Sequence, residues 1–354
     1  MKAYVTGSTG FIGYHLTQYM KHKTDIDVLQ STGRFRDDIK SINKCDVLIH
    51  LAGVNRGDNV YERNIEITND LIRVLKESNN LPKIIFASSS QEGNGTPYGT
   101  AKKESIEILN SLYGEENIIS LKIPNVFGPL CKPNYNSFIS TFSYLLNQGE
   151  KPSIITDNEI ELVYVTDLCE HIYSQIIGVA NKMTTDRIAV SEILEKLTEY
   201  NLDYNSNNTI PNMVSKFDVD LFNTFRSFSN PVRDLDRKSD DRGYLLECLR
   251  TKSSNSHMFY SVTKPGITRG NHFHFRKVER FVIIKGSAEI EFQKPDTKGI
   301  DRFTISGDDN KVIDIPVMNV HTLKNIGEDE LICAFWTNEI FDQNNPDTYF
   351  LKIS

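Results

Sequence analysis

A chain of 354 residues is longer than one hydrophobic core usually organises, so two domains are expected. Apolar residues make up 39% of it, enough to bury real cores, yet no uninterrupted apolar run reaches the ~18 residues of a membrane span; nor does a basic leader precede the strand-like Lys2 to Thr6, so a soluble, cytoplasmic protein is expected. The formal charge of −7 speaks against general nucleic-acid binding and for a small-molecule partner, and five scattered cysteines without a CxxC pair suggest neither a disulfide framework nor a zinc ribbon.

Along the first part of the chain, apolar runs alternate with helical patterns. Ala3–Thr6 is followed by Gly13–Lys21, Val47–Leu51 by Asn64–Asn79, and Lys83–Ser88 by Tyr98–Ser111, with Ile118–Ile123 closing the series. This alternation predicts an α/β Rossmann-like doubly wound parallel sheet over residues 1–230. Leu221, Phe222, Phe225 and Phe228 have the spacing of an amphipathic helix, between the polar stretch Asn205 to Asn212 and the charged stretch Arg233 to Arg242. From 231 to 354 the pattern changes to short strands separated by Gly, Pro, Asn and Asp turns: Gly243–Leu249, His257–Thr263, Arg280–Lys285, Ala288–Phe292, Lys311–Ile315 and Leu331–Trp336. That half is expected to be all-β. No internal repeat or low-complexity tract is present.

Three groups of residues carry chemistry. The first is Thr6-Gly7-Ser8-Thr9-Gly10-Phe11-Ile12-Gly13, after a strand and opening a helix, where backbone N–H groups can meet a pyrophosphate and Gly13 permits close helix packing. Beyond the second strand, Val28 to Thr32, no acidic residue waits for a ribose 2′-hydroxyl. Arg34 follows Gly33 instead and favours the 2′-phosphate of NADP(H), although a loop arginine is equally often solvated surface.

The second group is Tyr98-Gly-Thr-Ala-Lys102. The i, i+4 spacing puts phenol and ammonium on one helix face, where the ammonium lowers the phenol's pKa and the phenol can pass a proton to a carbonyl as hydride arrives from a nicotinamide. A serine from Ser88-Ser89-Ser90 would hold the carbonyl oxygen. Taken alone, YxxxK is also common on solvated helices. Together with HLAG at 50–53 and PNVFGP at 124–129, these residues resemble the extended short-chain dehydrogenase/reductase family over about the first 230 residues. The resemblance implies Tyr98 as general acid/base, Lys102 as its partner and nicotinamide-ribose ligand, and Ser89 as the third catalytic member, with Ser88 and Ser90 as other registers. It also implies that His50, Ala52 and Gly53 line the cofactor and that Asn125 lies near the substrate.

The third group is Gly266-x5-His272-x-His274-x4-Glu279-x6-Gly286 with Pro316-x4-His321-x3-Asn325. Alternate strand residues share a face, so His272 and His274 can both point inward, joined by Glu279 and His321 from other strands; such a set suits zinc, iron, manganese, nickel or copper. The spacing resembles the two-part metal motif of the cupin family, with Asn310 and Met318 where glycines usually stand, and implies a metal-binding cupin barrel. This half is also similar to the nucleotide-sugar 3,5-epimerases, through Asp241-Arg242-Gly243-x3-Glu247 and Arg269-Gly270-x-His272, which implies that Arg269 holds a substrate diphosphate. The base of such a site is not legible; Lys285, Glu291 and Tyr260 are candidates, each of which can equally be structural.

Joined, the halves resemble the bifunctional capsular polysaccharide biosynthesis enzymes of the CapF type. The resemblance implies a UDP-2-acetamido-2,6-dideoxy-4-hexulose substrate, epimerised at C3 by a zinc cupin and reduced at C4 with NADPH, in a homodimer. Two other readings stay open: a reductase whose metal cupin serves dimerisation or sugar binding, and an enzyme that keeps its nicotinamide cofactor without net turnover.

Overall fold

The computed structural model describes residues 1–30, 37–230, 237–252, 256–274, 277, 279–293, 298–309, 311–316 and 319–353. Arg34, Asn310 and Met318 lie outside them. The described chain divides into two compact units, one of Met1–Thr198 with Val219–Ser229, the other of Glu199–Asp218 with Asn230–Ser354.

The first unit runs β1 (Lys2–Thr6), α1 (Phe11–Lys23), β2 (Asp27–Gln30), α2 (Ile39–Ile42), β3 (Val47–His50), α3 (Val60–Glu77), β4 (Lys83–Ser89), α4 (Pro97–Tyr113), β5 (Ile118–Ile123), β6 (Asn125–Phe127), α5 (Phe138–Asn147), β7 (Glu159–Tyr164), α6 (Val165–Ile176) and β8 (Asp186–Ala189). Five parallel strands form one sheet in the order β2-β1-β3-β4-β5. Its strands are apolar on both faces, as helices on both sides require. Ala3, Val5, Val47, Ile49 and Ile85 face one core with Leu16 and Met20 of α1 and Leu168 and Ile172 of α6. Tyr4, Leu48, Ile84 and Phe86 face the other, against Leu71 and Leu75 of α3 and Ile106 and Leu109 of α4. Strand order reverses between β1 and β3, and the crevice beyond the strand ends at such a point is where doubly wound sheets bind ligands. The predicted doubly wound sheet is present. A smaller sheet, β6-β7-β8, accompanies it.

After α7 (Val190–Tyr200), the α8 helix (Lys216–Arg226) places Leu221, Phe222 and Phe225 in the interior, as their spacing predicts. The polar stretch between these helices is not a free linker. Ile210 bridges Thr251, and Asp203, which is buried, lies 2.8 Å from Lys252 Nζ.

The second unit is antiparallel throughout: β9 (Arg237–Asp240), β10 (Gly243–Arg250), β11 (His257–Thr263), β12 (Thr268–Phe273), β13 (Glu279–Lys285), β14 (Ser287–Gln293), β15 (Ile300–Ser306), β16 (Val312–Ile315), β17 (Val320–Asn325), β18 (Leu331–Thr337) and β19 (Tyr349–Phe350). They build one sheet in the order β16-β13-β18-β11-β10-β9 and another in the order β15-β14-β17-β12-β19. Phe281, Ile283, Ile290, Phe292, Ile315 and Leu323 fill the core, giving the all-β cupin-like half that the sequence predicts.

Leu48 is fully buried in the parallel sheet. Leu48→Ala should cost about 2–5 kcal/mol of stability. In a urea titration this appears as a lower midpoint at an unchanged slope.

Candidate functional sites

At the C-terminal ends of β1 and β3 the backbone is pressed together by glycine. Gly7 has φ +68°, and a Cβ there would lie 2.9 Å from Ala52 N; a Cβ on Gly13 would lie 2.1 Å from Gly7 O. Only glycine therefore lets α1 start this close to β1. Gly10 caps α1 without a side-chain hydrogen bond, so the first-turn amides, with Thr9 before them and Phe11 and Ile12 within them, are open to an anion. Thr6 Oγ1 accepts from Ala52 N at 3.2 Å and shares a 3.0 Å hydrogen bond with His50 Nδ1. His50 is fully buried, and burial, helped by Lys102, pushes its pKa down to about 3. It is neutral at physiological pH.

Beside it, Asn64 clasps the loop after β3. Its Nδ2 donates to Val54 O and Val60 O, and its Oδ1 accepts from Val54 N. A Cβ on Gly53 would meet Asn64 Oδ1 at 3.2 Å and Lys102 Nζ at 3.4 Å. Sequence reasoning did not single out Asn64; its place four residues into α3, beside the HLAG loop, was the available signal.

Lys102 is buried and donates to Ala87 O at 2.8 Å, with its Nζ 4.9 Å from the Phe86 ring centre and 5.7 Å from that of Tyr98. Burial lowers its pKa to about 8. The two side chains share a helix face as the spacing predicts. The expected lowering of the phenol does not follow: burial holds Tyr98 above its ordinary value, and the ammonium, tied to Ala87 O, does not offset this.

The three serines differ in what they touch. Ser88 donates to Glu92 Oε2, the other oxygen of which, Oε1, is 3.3 Å from Lys122 Nζ, while Ser90 is exposed. Ser89 is buried at the strand end, and its Oγ accepts from Gln91 N at 3.1 Å, which leaves its own proton for another acceptor. The segment from the serines to Tyr98 folds back tightly. Thr96 caps α4 by accepting from Gly99 N, and a Cβ on Gly99 would lie 2.1 Å from Gln91 O. Gln91, Thr96 and Tyr98 line a cleft of about 780 Å³ with Asn55 and Arg56. Asn125 is exposed at the start of β6. Within the same PNVFGP stretch, a Cβ on Gly128 would lie 3.5 Å from the Phe11 ring, so this turn packs on the glycine-rich loop.

In the antiparallel unit, β12 and β17 bring His272 opposite His321, after a bulge at Gly270 and Asn271, whose φ values are +96° and +60°. His274 follows just past the strand end. The imidazole nitrogens of His272, His274 and His321 lie within 4.8 Å of one another. His274 Nδ1 donates to Asp347 O at 2.6 Å, which leaves Nε2 facing inward, 3.2 Å from Glu279 Oε2. His321 Nδ1 is 3.4 Å from Asn319 O.

Burial would raise the Glu279 carboxyl, but contact with His274 and the neighbouring imidazoles outweigh it and hold it below the usual range. Burial likewise pushes His321 down to about 3 and lowers His272, the other imidazoles adding to both. At 3.2 Å the His274 nitrogen and the Glu279 oxygen need a proton or a cation between them. The donor set fits a divalent metal.

The cluster opens on a cavity of about 360 Å³, within the range of small-molecule pockets. Arg269 lies in its wall, its Nε donating to Thr263 Oγ1 at 2.8 Å, with Arg242 nearby. None of Tyr260, Lys285 and Glu291 lines it. On β11 the lining residues are His257, Phe259 and Ser261, so Tyr260 faces away; on β14 they are Ile290 and Phe292, so Glu291 faces away and binds Arg302; Lys285 is exposed.

A dinucleotide-type β-α-β crevice and a histidine-lined antiparallel barrel define a short-chain dehydrogenase/reductase joined to a cupin. Residues 3–176 match the NAD dependent epimerase/dehydratase family, and residues 238–349 match the polysaccharide biosynthesis C-terminal domain. Over 100% of its length the chain is 31% identical to the UDP-2-acetamido-2,6-beta-L-arabino-hexul-4-ose reductase of Pseudomonas aeruginosa, 99% of which is covered. It superposes on the capsular polysaccharide assembling protein CapF of Staphylococcus aureus with a TM-score of 0.88 and 30% identity, over 100% of both chains. The chain belongs to this CapF-type family. RMD from Pseudomonas aeruginosa, solved with NADPH, shares the fold at 18% identity and a TM-score of 0.52, over 64% of this chain and 98% of RMD.

Gly13→Ala should lose about 1–3 kcal/mol of stability through the clash with Gly7 O. Dinucleotide affinity, measured by fluorescence titration, should fall at least about tenfold as α1 is displaced.

Proposed function

We propose that the chain is a two-site nucleotide-sugar enzyme. Its cupin inverts C3 of a UDP-2-acetamido-2,6-dideoxy-4-hexulose, and its N-terminal site reduces the C4 ketone with NADPH to UDP-N-acetyl-6-deoxytalosamine, for UDP-N-acetylfucosamine and surface polysaccharide synthesis. The observation that carries this reading is that one chain holds two separate clusters: Tyr98 and Lys102 on one helix face beside the Gly53 turn, and three imidazoles facing a cavity. The name of the Pseudomonas aeruginosa relative supports a 4-keto sugar as substrate.

In the N-terminal site, Gly7, Thr9, Gly10, Phe11, Ile12 and Gly13 would receive the pyrophosphate of NADPH, Arg34 its 2′-phosphate, and Ala52 and Gly53 the nicotinamide side, over a neutral His50. Tyr98 would give the proton to the C4 oxygen while Ser89 donates a hydrogen bond to it and Lys102 holds the ribose. Asn125 would contact the sugar.

In the cupin, His272, His274, Glu279 and His321 would hold one divalent ion, zinc in this reading, which polarises the ketone oxygen when bound. Arg269, with Arg242 beside it, offers guanidinium groups to the diphosphate. The reading includes a cytoplasmic homodimer; among the described residues no helix is long and apolar enough to cross a membrane.

The test follows the C3 proton by NMR in D₂O, first without NADPH and then with it. Deuterium should enter at C3 before NADPH is added, and NADPH should then be consumed stoichiometrically. Tyr98→Phe should lower reduction at least about a hundredfold and spare exchange, whereas His274→Ala should lose the bound metal and exchange together. NADPH oxidation without exchange would reduce the cupin to a binding or dimerisation module.

A further inference from the structure

The epimerisation proposed for the cupin needs a side-chain base, and the three candidates offered by the sequence all lie off the cavity. The titratable groups that do line it fall into two sets. His272, His274, Glu279 and His321 form the metal cluster. Of the others, Lys238 is 2.9 Å from Glu247, Arg242 is 2.6 Å from Asp240, Arg269 donates to Thr263 and to Val262 O, and Lys277 donates to Pro346 O. Each of these is a cation, or a carboxylate already paired with one. His257 remains.

His257 is 6% exposed, and its Nδ1 is buried with no hydrogen-bond partner among the described residues. A buried polar atom left without a partner is costly, so such a group usually answers to a ligand. Its position supports this. His257 on β11 pairs with Thr337 on β18, and Thr337 pairs with Glu279 on β13. The three side chains form one cross-strand row on the wall of the cavity. With neighbouring strands about 4.8 Å apart, the imidazole stands roughly 10 Å along the sheet from the metal-cluster carboxylate, one strand lying between them. A sugar whose ketone meets the cluster can then present its neighbouring carbon to His257.

The groups around the imidazole are Glu247, Arg250, Lys277 and Glu279; burial, with the two cations, lowers its pKa against the pull of the two carboxylates. It is therefore a neutral ring with a free lone pair at physiological pH.

Resting on the epimerase reading above, we propose that His257 is the base that takes the proton from the carbon beside the ketone. The C–H bond breaks, its electron pair forms the C=C bond of an enolate, and the carbonyl electron pair moves to the former ketone oxygen. The imidazole becomes imidazolium. Delivery of a water-derived proton to the opposite face of the same carbon restores the ketone with inverted configuration, and His257 returns its proton to solvent.

Deuterium exchange at C3 of the UDP-4-keto sugar, measured on metal-replete protein without NADPH, tests this. His257→Gln should retain the full metal content by elemental analysis and lose at least about a hundredfold in exchange rate. His257→Ala should behave alike and regain exchange when imidazole is added. Exchange in His257→Gln within threefold of the unsubstituted protein would overturn the assignment. If either variant binds less metal, rates are taken per bound ion and imidazole rescue decides: rescue supports the assignment, and its absence overturns it. A complete lack of exchange in the unsubstituted, metal-replete protein would instead sink the epimerase reading and His257's role with it, a failure visible before any variant is made.

Discussion

The hydrogen bond from Lys102 Nζ to Ala87 O holds a cation inside the first unit, and the arrangement of the surrounding residues follows from it. An ammonium removed from water must be solvated by carbonyls and ring faces or lose its proton. Ala87 O and the faces of Phe86 and Tyr98 supply that environment, and a pKa near 8 measures how far they fall short of water. Gly53 packs close to it, since a Cβ there would meet Asn64 Oδ1 at 3.2 Å and Nζ at 3.4 Å. His50 is neutral chiefly because it is itself fully buried, and the neighbouring Lys102 charge adds to the cost of a second cation. The glycine loop, the 50–53 turn and the Tyr98 helix are thus built around one buried charge.

The antiparallel unit faces the opposite problem. Here a carboxylate, Glu279, is buried among imidazoles, of which burial lowers the pKa of His272 and His321. Backbone carbonyls settle the orientation of the rings. Asp347 O accepts from His274 Nδ1, and Asn319 O approaches His321 Nδ1, so the opposite nitrogens are the ones turned toward the cavity. Orientation of histidine by an outer carbonyl is what a metal ligand requires.

Much of this was legible in the sequence, and the failures have physical causes. β5 and β11 were found at their observed bounds because each is a short run ended by turn residues. β12, which carries His272, showed in the sequence only through the His272-x-His274 alternation and not as an apolar run with bounds: Gly270 and Asn271 adopt positive φ, and the bulge they form disrupts the period of two on which strand reading depends. β17 is short and half polar, and it is recognisable only through the partners it pairs with. The Asn205 to Asn212 stretch is only a polar run in the sequence, yet pairing through Ile210 joins it to the barrel unit, a non-local contact that no local pattern contains. The cluster of His272, His274 and His321 was readable because its members have fixed spacing. The base was not, since choosing among Tyr260, Lys285, Glu291 and His257 requires the phase of each strand relative to the interior.

That phase carries the chemistry further than residue type does. Tyr260 and His257 lie on the same strand, three positions apart, and an odd separation sends them to opposite faces. The phenol on the outer face of β11 is half-buried against Tyr244, away from the cavity, whereas the imidazole on the inner face is stripped of water and left as an uncommitted base. Burial has a parallel effect in both units: it keeps the protons off nitrogen at His50 and His257 and weakens their hold at Lys102. Proton transfer beside a ketone needs an acceptor that is neutral before the step and tolerable as a cation after it. A carboxylate set against the cavity, as Glu247 and Glu279 are around His257, lowers the cost of that second state without abolishing the first.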